Sequence, residues 1–252
     1  MRVLRVERLS KDFGGVRAIQ DVSFQVDAGE RLGIIGPNGA GKTTLFNILG
    51  GQLSPSAGRV LYNDKDITKL PPHKRTFLGI SRSFQIAALF DDLSVLDNIL
   101  LSFQGTRHSR FHLFKFADSY SELMLKAEEM LDSLDLWEQR NEPVFSISYG
   151  EKRKLEIALS LVSEPRLLLL DEPSCGLTTS ESDDIKNRIR DLGGDITVLL
   201  VAHDMDLVFG VAERILVLHF GRIITQGTCE EIYCDEKVKE LYMGSEEGFE
   251  SA

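Results

Sequence analysis

The sequence predicts an α/β fold with a mainly parallel sheet, and three of its features lead to that prediction. In the last third of the chain, short apolar runs alternate with amphipathic helical segments. Nearer the N-terminus, an apolar run of strand length leads into a glycine-rich loop and then a helix. The length of 252 residues suits one large domain, or one core with a subdomain.

Seven short stretches have the apolar patterns of β-strands. They are residues 3–6, 22–26, 31–35, 58–62, 167–170, 197–201 and 214–218. Residues 11–15 lie between the first two stretches and have the composition of a turn. Helical segments at about 41–49, 180–192 and 205–211 follow individual strands. This alternation of strand and helix favours parallel pairing.

The middle of the chain, from about residue 91 to 163, is mostly helical in pattern. Residues 120–136 carry apolar side chains on one helical face and charged side chains on the other. Residues 105–116 mix basic and aromatic side chains, and we expect a loop or short helix with an exposed surface there.

Composition excludes several classes of protein. Asp and Glu outnumber Lys and Arg by 39 to 29, so we expect no basic nucleic-acid-binding surface over the whole chain. The 42% hydrophobic and 27% charged residues are typical of a globular chain. No apolar run approaches the roughly 18 residues of a membrane span, and no signal-peptide core is present. Three cysteines are too few for a disulfide framework, so we expect a reduced, cytosolic chain.

Residues 36–43 fit the phosphate-loop pattern G-x-x-x-x-G-K-[ST] without deviation. The glycines allow backbone N–H groups to wrap phosphates, and the start of the next helix adds a favourable dipole. We expect Lys42 to reach the β- and γ-phosphates and the Thr43 hydroxyl to ligate Mg²⁺. The predicted nucleotide contacts of this loop are Gly36, Pro37, Asn38, Gly39, Ala40, Gly41, Lys42, Thr43 and Thr44.

Two acidic residues, Asp171 and Glu172, end the apolar run of residues 167–170. A buried strand that ends here would place Asp171 at the carboxyl edge of the sheet, where it can hold Mg²⁺ directly or through water. Glu172 would point further out and could polarise the attacking water. Together with the phosphate loop, this pair predicts a nucleoside triphosphatase.

The segment Ile-Ser-Tyr-Gly-Glu at residues 147–151 resembles the Leu-Ser-Gly-Gly-Gln signature of ATP-binding cassette (ABC) proteins. A serine and a glycine at a helix N-terminus make a second anion site. In the family, cassettes dimerise head to tail, and each signature caps the ATP of the other subunit. The resemblance therefore implies that Ser148 and Gly150 contact the nucleotide of a partner cassette.

Three further residues stand where this family has functional side chains. Gln85 resembles the Q-loop glutamine that links Mg²⁺ and water to the helical subdomain. His203 follows a predicted strand and resembles the switch histidine at the γ-phosphate. Phe13 lies at the A-loop position, where an aromatic ring stacks on adenine. The resemblance thus implies catalytic roles for Glu172, His203 and Gln85, and a Mg²⁺ site at Thr43, Gln85 and Asp171.

The resemblance covers about residues 3–244. It implies the P-loop NTPase fold of an ABC ATPase, with a RecA-like core, an antiparallel β subdomain and an α-helical subdomain at about 86–163. Residues 1–244 are expected to form one ABC ATPase domain, followed by an acidic tail at 245–252. One departure concerns Thr178, which stands where the D-loop of the family usually has Asp or Asn. Communication between the two ATP sites could then be weaker and turnover slow.

Several segments look most like the ATP-binding subunits of branched-chain amino acid importers. They include residues 82–85, 149–153, 155–158 and 238–244. This resemblance implies two transmembrane permease subunits, a homodimer or a heterodimer with a sister ATPase, and an indirect link to a substrate-binding protein. The chain would then lie peripherally on the cytoplasmic face of the inner membrane. A urea or amide importer, a lipopolysaccharide exporter, a soluble cassette ATPase and a non-hydrolysing module stay open as alternatives.

The permease contact is expected in a groove after Gln85, where residues 86–90 form an apolar run. Ordinary packing inside the helical subdomain is the other interpretation of that run. The basic-aromatic residues 107–116 are expected either to contact lipid headgroups or the permease, or to form a solvated loop.

Overall fold

The computed structural model describes residues 1–83, 89–106 and 116–243. Within these ranges the strands are β1 (Arg2–Phe13), β2 (Val16–Asp27), β3 (Arg31–Ile35), β4 (Ala57–Tyr62), β5 (Lys65–Asp66), β6 (Ile80–Arg82), β7 (Leu167–Asp171), β8 (Thr197–Val201), β9 (Arg214–His219) and β10 (Arg222–Thr228). The helices are α1 (Lys42–Gly50), α2 (Pro72–Phe77), α3 (Val95–Thr106), α4 (Phe116–Asp132), α5 (Tyr149–Leu161), α6 (Thr179–Asp191), α7 (Met205–Val211), α8 (Cys229–Cys234) and α9 (Glu236–Met243). A short 3-10 helix, Val144–Ser146, precedes α5.

The larger sheet has the strand order β10-β9-β3-β8-β7-β6. All its neighbours pair in parallel except β9 and β10, which form an antiparallel hairpin. The strands β7 and β8 are buried along their whole length, as expected for parallel strands covered on both faces. Five strands therefore deliver their carboxyl ends to one edge of the sheet.

The smaller sheet has the order β2-β1-β4-β5 and is antiparallel. The inner face of the smaller sheet packs on α1 and on one face of the larger sheet. Together they form one apolar cluster that includes Leu4, Phe24 and Phe46. A second cluster covers the opposite face of the larger sheet through α6 and α7. A third cluster joins α3, α4 and α5 around Ile99, Leu131 and Leu155.

The predicted elements agree with the structure in type and nearly in position. The segments at 31–35, 197–201 and 205–211 coincide with β3, β8 and α7. One expectation was partly wrong, because residues 11–13 continue β1 and only Gly14–Gly15 form the hairpin turn. Residues 107–115 of the basic-aromatic segment and the acidic tail lie outside the described residues. None of the helices in the described ranges has both the length and the hydropathy needed to cross a membrane.

Arg75 on α2 is buried, with 1% of its surface exposed, and it holds the end of the helix that follows the phosphate loop. Its guanidinium donates to the carbonyls of Ile48, Leu49, Ile67, Thr68 and Leu70. The first two belong to the last turn of α1, whose carbonyls have no partner within the helix. Burial lowers the pKa of Arg75 to about 10, so the side chain stays charged at neutral pH.

We predict that Arg75→Met lowers the free energy of unfolding by about 3 kcal/mol, since it removes five hydrogen bonds of a charged donor from the interior. Urea denaturation followed by circular dichroism measures the change. Lys74→Met, at the neighbouring exposed position, is the matched control and should change stability by less than about 0.5 kcal/mol. Equal stability of the two variants would contradict the capping role of Arg75.

Candidate nucleotide site

The predicted site residues converge at the carboxyl edge of the larger sheet. The phosphate loop leaves β3, Asp171 and Glu172 end β7, and His203 follows β8. The register pairs Ile34 with Val201 and Asp171 with the same Val201, so the three loops start at one level. The structure thus brings together residues that lie up to 167 positions apart in the chain.

The phosphate loop runs so close to other backbone segments that glycine is required at two of its positions. Gly36 has φ 152°, and an added Cβ would lie 2.0 Å from the Leu218 carbonyl oxygen. Gly41 has φ 106°, and an added Cβ would lie 2.5 Å from the Ala18 carbonyl oxygen. Larger side chains at either position would both strain the backbone and push the loop away from β9 and β2.

Lys42 lies folded back over its own loop. Its Nζ donates to the carbonyls of Gly36 at 2.5 Å and Pro37 at 3.1 Å, and the side chain is buried. Burial lowers the pKa of Lys42, and the negative charges of Glu172 and Asp171 oppose that shift. A buried ammonium held by neutral carbonyls is poorly compensated, and a phosphate anion would supply the missing charge.

Asp171 is completely buried at the end of β7. Its Oδ2 accepts a hydrogen bond from Arg82 Nη2 at 2.8 Å, and its backbone N–H donates to Ser83 Oγ at 3.3 Å. Oδ1 is also buried and has no hydrogen-bond partner among the described residues. An orphaned carboxylate oxygen of this kind suits a hard cation with oxygen ligands, so the residues present fit Mg²⁺.

Glu172 and His203 face each other across the ends of β7 and β8. The distance between His203 Nε2 and Glu172 Oε1 is 2.9 Å. The Glu172 side chain is mostly shielded, whereas that of His203 is 41% exposed. The pair therefore presents a carboxylate oriented by an imidazole at the mouth of the site.

The segment that resembles the ABC signature forms the start of α5. Ser148 is the N-cap, and its Oγ accepts from the Glu151 N–H at 3.2 Å. Glu151 Oε2 accepts from the Ser148 N–H at 2.7 Å, which completes a capping box. Because capping uses a lone pair of Ser148 Oγ, its hydroxyl proton remains able to donate to an anion.

The remaining predicted residues are placed as follows. Phe13 ends β1 with 49% of its surface exposed, and Lys11 Nζ lies 5.1 Å from the centre of its ring. Thr43 is exposed and Thr44 partly exposed on the first turn of α1. Gln85, expected at the metal and the catalytic centre, lies outside the described residues.

Thr178, where the sequence departs from the family, is the N-cap of α6. Its Oγ1 donates to Glu181 Oε2 at 2.8 Å, and its backbone N–H donates to the same oxygen at 2.9 Å. Its Oγ1 also accepts from the Glu181 N–H at 3.4 Å, and this is the helix-capping bond that an Asp or Asn side chain would also make. The effect of Thr178 on turnover stays a prediction.

Arg82 is the main residue at this edge to which the sequence analysis gave no role. Besides Asp171, it donates to Asn47 Oδ1 at 2.8 Å and Gln52 Oε1 at 3.1 Å. Arg82 ends β6, a strand of three residues in which only Ile80 is buried, so the sequence carried no clear signal for its role. The partners themselves lie 30 to 89 positions away in sequence, so their identity required the fold.

Comparison with known proteins agrees with this geometry. The ABC transporter family profile matches residues 19–175. The high-affinity branched-chain amino acid transport ATP-binding protein BraF of Pseudomonas aeruginosa is 37% identical over 96% of this chain and 98% of its own. The chain belongs to the ABC transporter family. It is accordingly an ATPase of the ABC type, as the resemblance implied.

Other members of the ABC family give the same result. LivG of Escherichia coli K12, another branched-chain amino acid transport ATP-binding protein, is 36% identical over 96% of this chain and 98% of its own. The lipopolysaccharide export ATP-binding protein LptB of Acidithiobacillus ferridurans is 35% identical over 97% of this chain and 98% of its own. A crystal structure of a nucleotide-free ABC transporter cassette superposes with a TM-score of 0.85 at 32% identity, over 96% of this chain and 99% of that one. The fold class predicted from the sequence is thereby confirmed.

We predict that Lys42→Ala lowers the affinity for ATP about 100-fold, because a charge-assisted hydrogen bond to phosphate contributes up to about 3 kcal/mol. Isothermal titration calorimetry measures the dissociation constant. Lys69→Ala, which removes an exposed lysine from the surface, serves as the control. Unchanged affinity in Lys42→Ala would exclude this loop as the phosphate site.

Proposed function

We propose that this chain is the ATP-hydrolysing subunit of an importer for branched-chain amino acids. The observation that carries the ATPase function is the meeting of Lys42, the orphaned Asp171 oxygen and the Glu172–His203 pair at one sheet edge. The names of BraF and LivG support the class of substrate. Residues 1–244 act as one ABC ATPase domain, with a helical subdomain at about 86–163.

Nucleotide binding follows from the phosphate loop. Its backbone N–H groups wrap the phosphates, and Lys42 exchanges its contacts with Gly36 and Pro37 for phosphate oxygens. Phe13 stacks on the adenine with its exposed ring. Thr43, Gln85 and Asp171 would hold Mg²⁺, which would neutralise part of the phosphate charge when bound.

Hydrolysis requires a group that takes a proton from the attacking water, and we assign it to Glu172. His203 lies 2.9 Å from one carboxylate oxygen and fixes its direction. The other oxygen can accept the proton of a water molecule held between Glu172 and the phosphate. Once ATP is bound, the Nε2–H of His203 can exchange Glu172 for the γ-phosphate as its acceptor.

The complete site contains two cassettes, with Ser148 and Gly150 of each subunit covering the nucleotide of the other. The free hydroxyl proton of Ser148 and the helix N-terminus of α5 support this role. The partner is either a second copy or a sister ATPase. When the two cassettes close around bound ATP, their helical subdomains move.

Two permease subunits receive this motion at a groove between the larger sheet and the helical cluster. A cavity of about 480 Å³ opens there, with Phe90 and Leu101 among its lining residues. Phe90 is 59% exposed and Leu101 41% exposed, and such apolar groups suit a surface that a helix of the permease covers. Through this contact the chain lies at the cytoplasmic face of the inner membrane, and a substrate-binding protein acts on the opposite face.

The likeness to LptB favours a second candidate, the ATPase of a lipopolysaccharide exporter. Uptake of radiolabelled leucine into proteoliposomes that contain the chain and its copurified permease separates the two. ATP-dependent uptake supports the importer, whereas its absence with retained ATPase activity favours the exporter.

We predict that Glu172→Gln lowers kcat for ATP hydrolysis at least about 100-fold, the usual contribution of a general base, while ATP-bound dimers persist. Phosphate release and size-exclusion chromatography with ATP measure the two properties. Glu164→Gln is a matched control, because Glu164 is an exposed glutamate whose φ of 48° resembles the 49° of Glu172. Rapid hydrolysis by Glu172→Gln would refute the assigned role.

We predict that Leu101→Glu, in the groove, reduces recovery of two permease subunits when the tagged chain is purified from detergent-solubilised native membranes. A buried charge without a partner opposes docking of an apolar helix. Leu125→Glu is the matched control, since Leu125 is an exposed leucine of the same helical cluster that does not line the groove. Mass spectrometry quantifies the recovered proteins, and equal recovery with both variants would contradict the docking site.

A further inference from the structure

We propose that Arg153 on α5 is a positioning residue that holds the backbone of Glu172 and so couples the signature helix to the general base of the same subunit. This inference rests on the proposed role of Glu172. It goes further because it assigns a task to a buried side chain that contacts neither nucleotide nor water in the proposed mechanism.

The guanidinium of Arg153 is buried, and each of its three nitrogens has a partner. Nη2 donates to the Glu172 carbonyl at 2.6 Å, and Nε donates to the Pro173 carbonyl at 3.1 Å. Nη1 donates to Glu156 Oε2 at 2.5 Å. The rigid fork of an arginine can hold two successive carbonyls in this way, whereas a lysine ammonium lacks that fixed geometry.

The backbone of Glu172 needs such support because its φ is 49°. This value lies in the left-handed region, which residues other than glycine rarely adopt. Its N–H donates to the Val201 carbonyl at 2.7 Å, on one side of the residue. Arg153 holds the carbonyl on the other side. With both peptide groups fixed, the side chain leaves the strand end in the direction that brings Oε1 within 2.9 Å of His203.

Glu156 explains why Arg153 acts through the backbone and not on the carboxylate of Glu172. Glu156 neutralises the guanidinium from the next turn of α5, and both side chains are nearly buried. Burial raises the pKa of Glu156 and Arg153 lowers it, as expected for an ion pair shielded from water. The charge of Arg153 is thus already matched, and its remaining N–H groups serve as fixed donors to carbonyl oxygens.

Helix α5 also contacts the segment of residues 176–181 at two points. An added Cβ on Gly176 would lie 3.1 Å from the Tyr149 ring, so the two residues are in close contact. An added Cβ on Gly150 would lie 2.3 Å from Glu181 Oε1. The first two turns of α5 are therefore packed against residues 172–181, and a displacement of α5 moves the carbonyl of Glu172 with it.

Arg153→Lys tests the proposal, with Arg153→Met as a second variant that removes the charge. We expect Arg153→Lys to lower kcat on the order of 10- to 100-fold, with less than a twofold change in KM for ATP and in ATP affinity. Lys152→Gln, on the partly exposed neighbouring position, should leave kcat within twofold of the parent. Thermal unfolding of each variant shows that the loss of turnover does not follow from loss of fold. A normal kcat in both Arg153 variants would overturn the proposal.

Combination with Glu172→Gln supplies the decisive comparison. If Arg153 acts through Glu172, adding Arg153→Lys to Glu172→Gln lowers the residual hydrolysis of radiolabelled ATP by less than twofold. If Arg153→Lys lowers ATP hydrolysis by the same factor in Glu172→Gln as in the parent protein, the coupling is overturned. The proposed role of Glu172 is unaffected by that result. If Glu172→Gln alone hydrolyses ATP at the parental rate, the proposed function of Glu172 fails and the coupling fails with it.

Discussion

The parallel register of β3, β8 and β7 is the constraint on which the proposed site depends. Val201 pairs with both Ile34 and Asp171, so three loops from distant parts of the chain begin at the same height. In β7 the only polar residue is the last one. A slip of one residue toward the interior would carry the Asp171 carboxylate away from Arg82 and into an apolar layer, where an unpaired charge is strongly unfavourable.

Basic side chains balance the acidic edge by two different physical means. Arg82 pairs directly with Asp171 and so stabilises a carboxylate that is fully buried. Arg153 instead matches its charge with Glu156 and uses its other N–H groups on the backbone. This division leaves one oxygen of Asp171 and the carboxylate of Glu172 for chemistry, since neither arginine occupies them.

The sequence predicted the parts of the molecule that depend on local pattern. The phosphate loop, the apolar strands and the acid pair are consecutive in the chain, and their periods and spacings indicate both structure and role. Short elements such as β6 and α2 were not predicted, because three to six residues carry too little periodicity. Arg82 and Arg153 could not be paired from sequence, since their partners are carbonyls and carboxylates brought close only by the sheet. Residues 11–13 were expected in a turn from their composition, but pairing of Phe13 with Val16 extends β1 through them. Strand pairing thus outweighed the local pattern.

Residues 147–151 differ from the usual ABC signature at three positions, and two of these residues, Tyr149 and Glu151, make local contacts in this chain. Tyr149 replaces a glycine, and its ring packs against Gly176, where a side chain would leave little room. Glu151 replaces a glutamine and closes the capping box with Ser148, which stabilises the start of α5 by satisfying two N–H groups. Both residues make contacts within one subunit: Glu151 with the N-cap of α5, and Tyr149 with the segment after Glu172. In the proposed dimer, α5 would move together with Glu172 of its own subunit, so that the nucleotide covered by the signature of one cassette would affect the position of Glu172 in the same cassette.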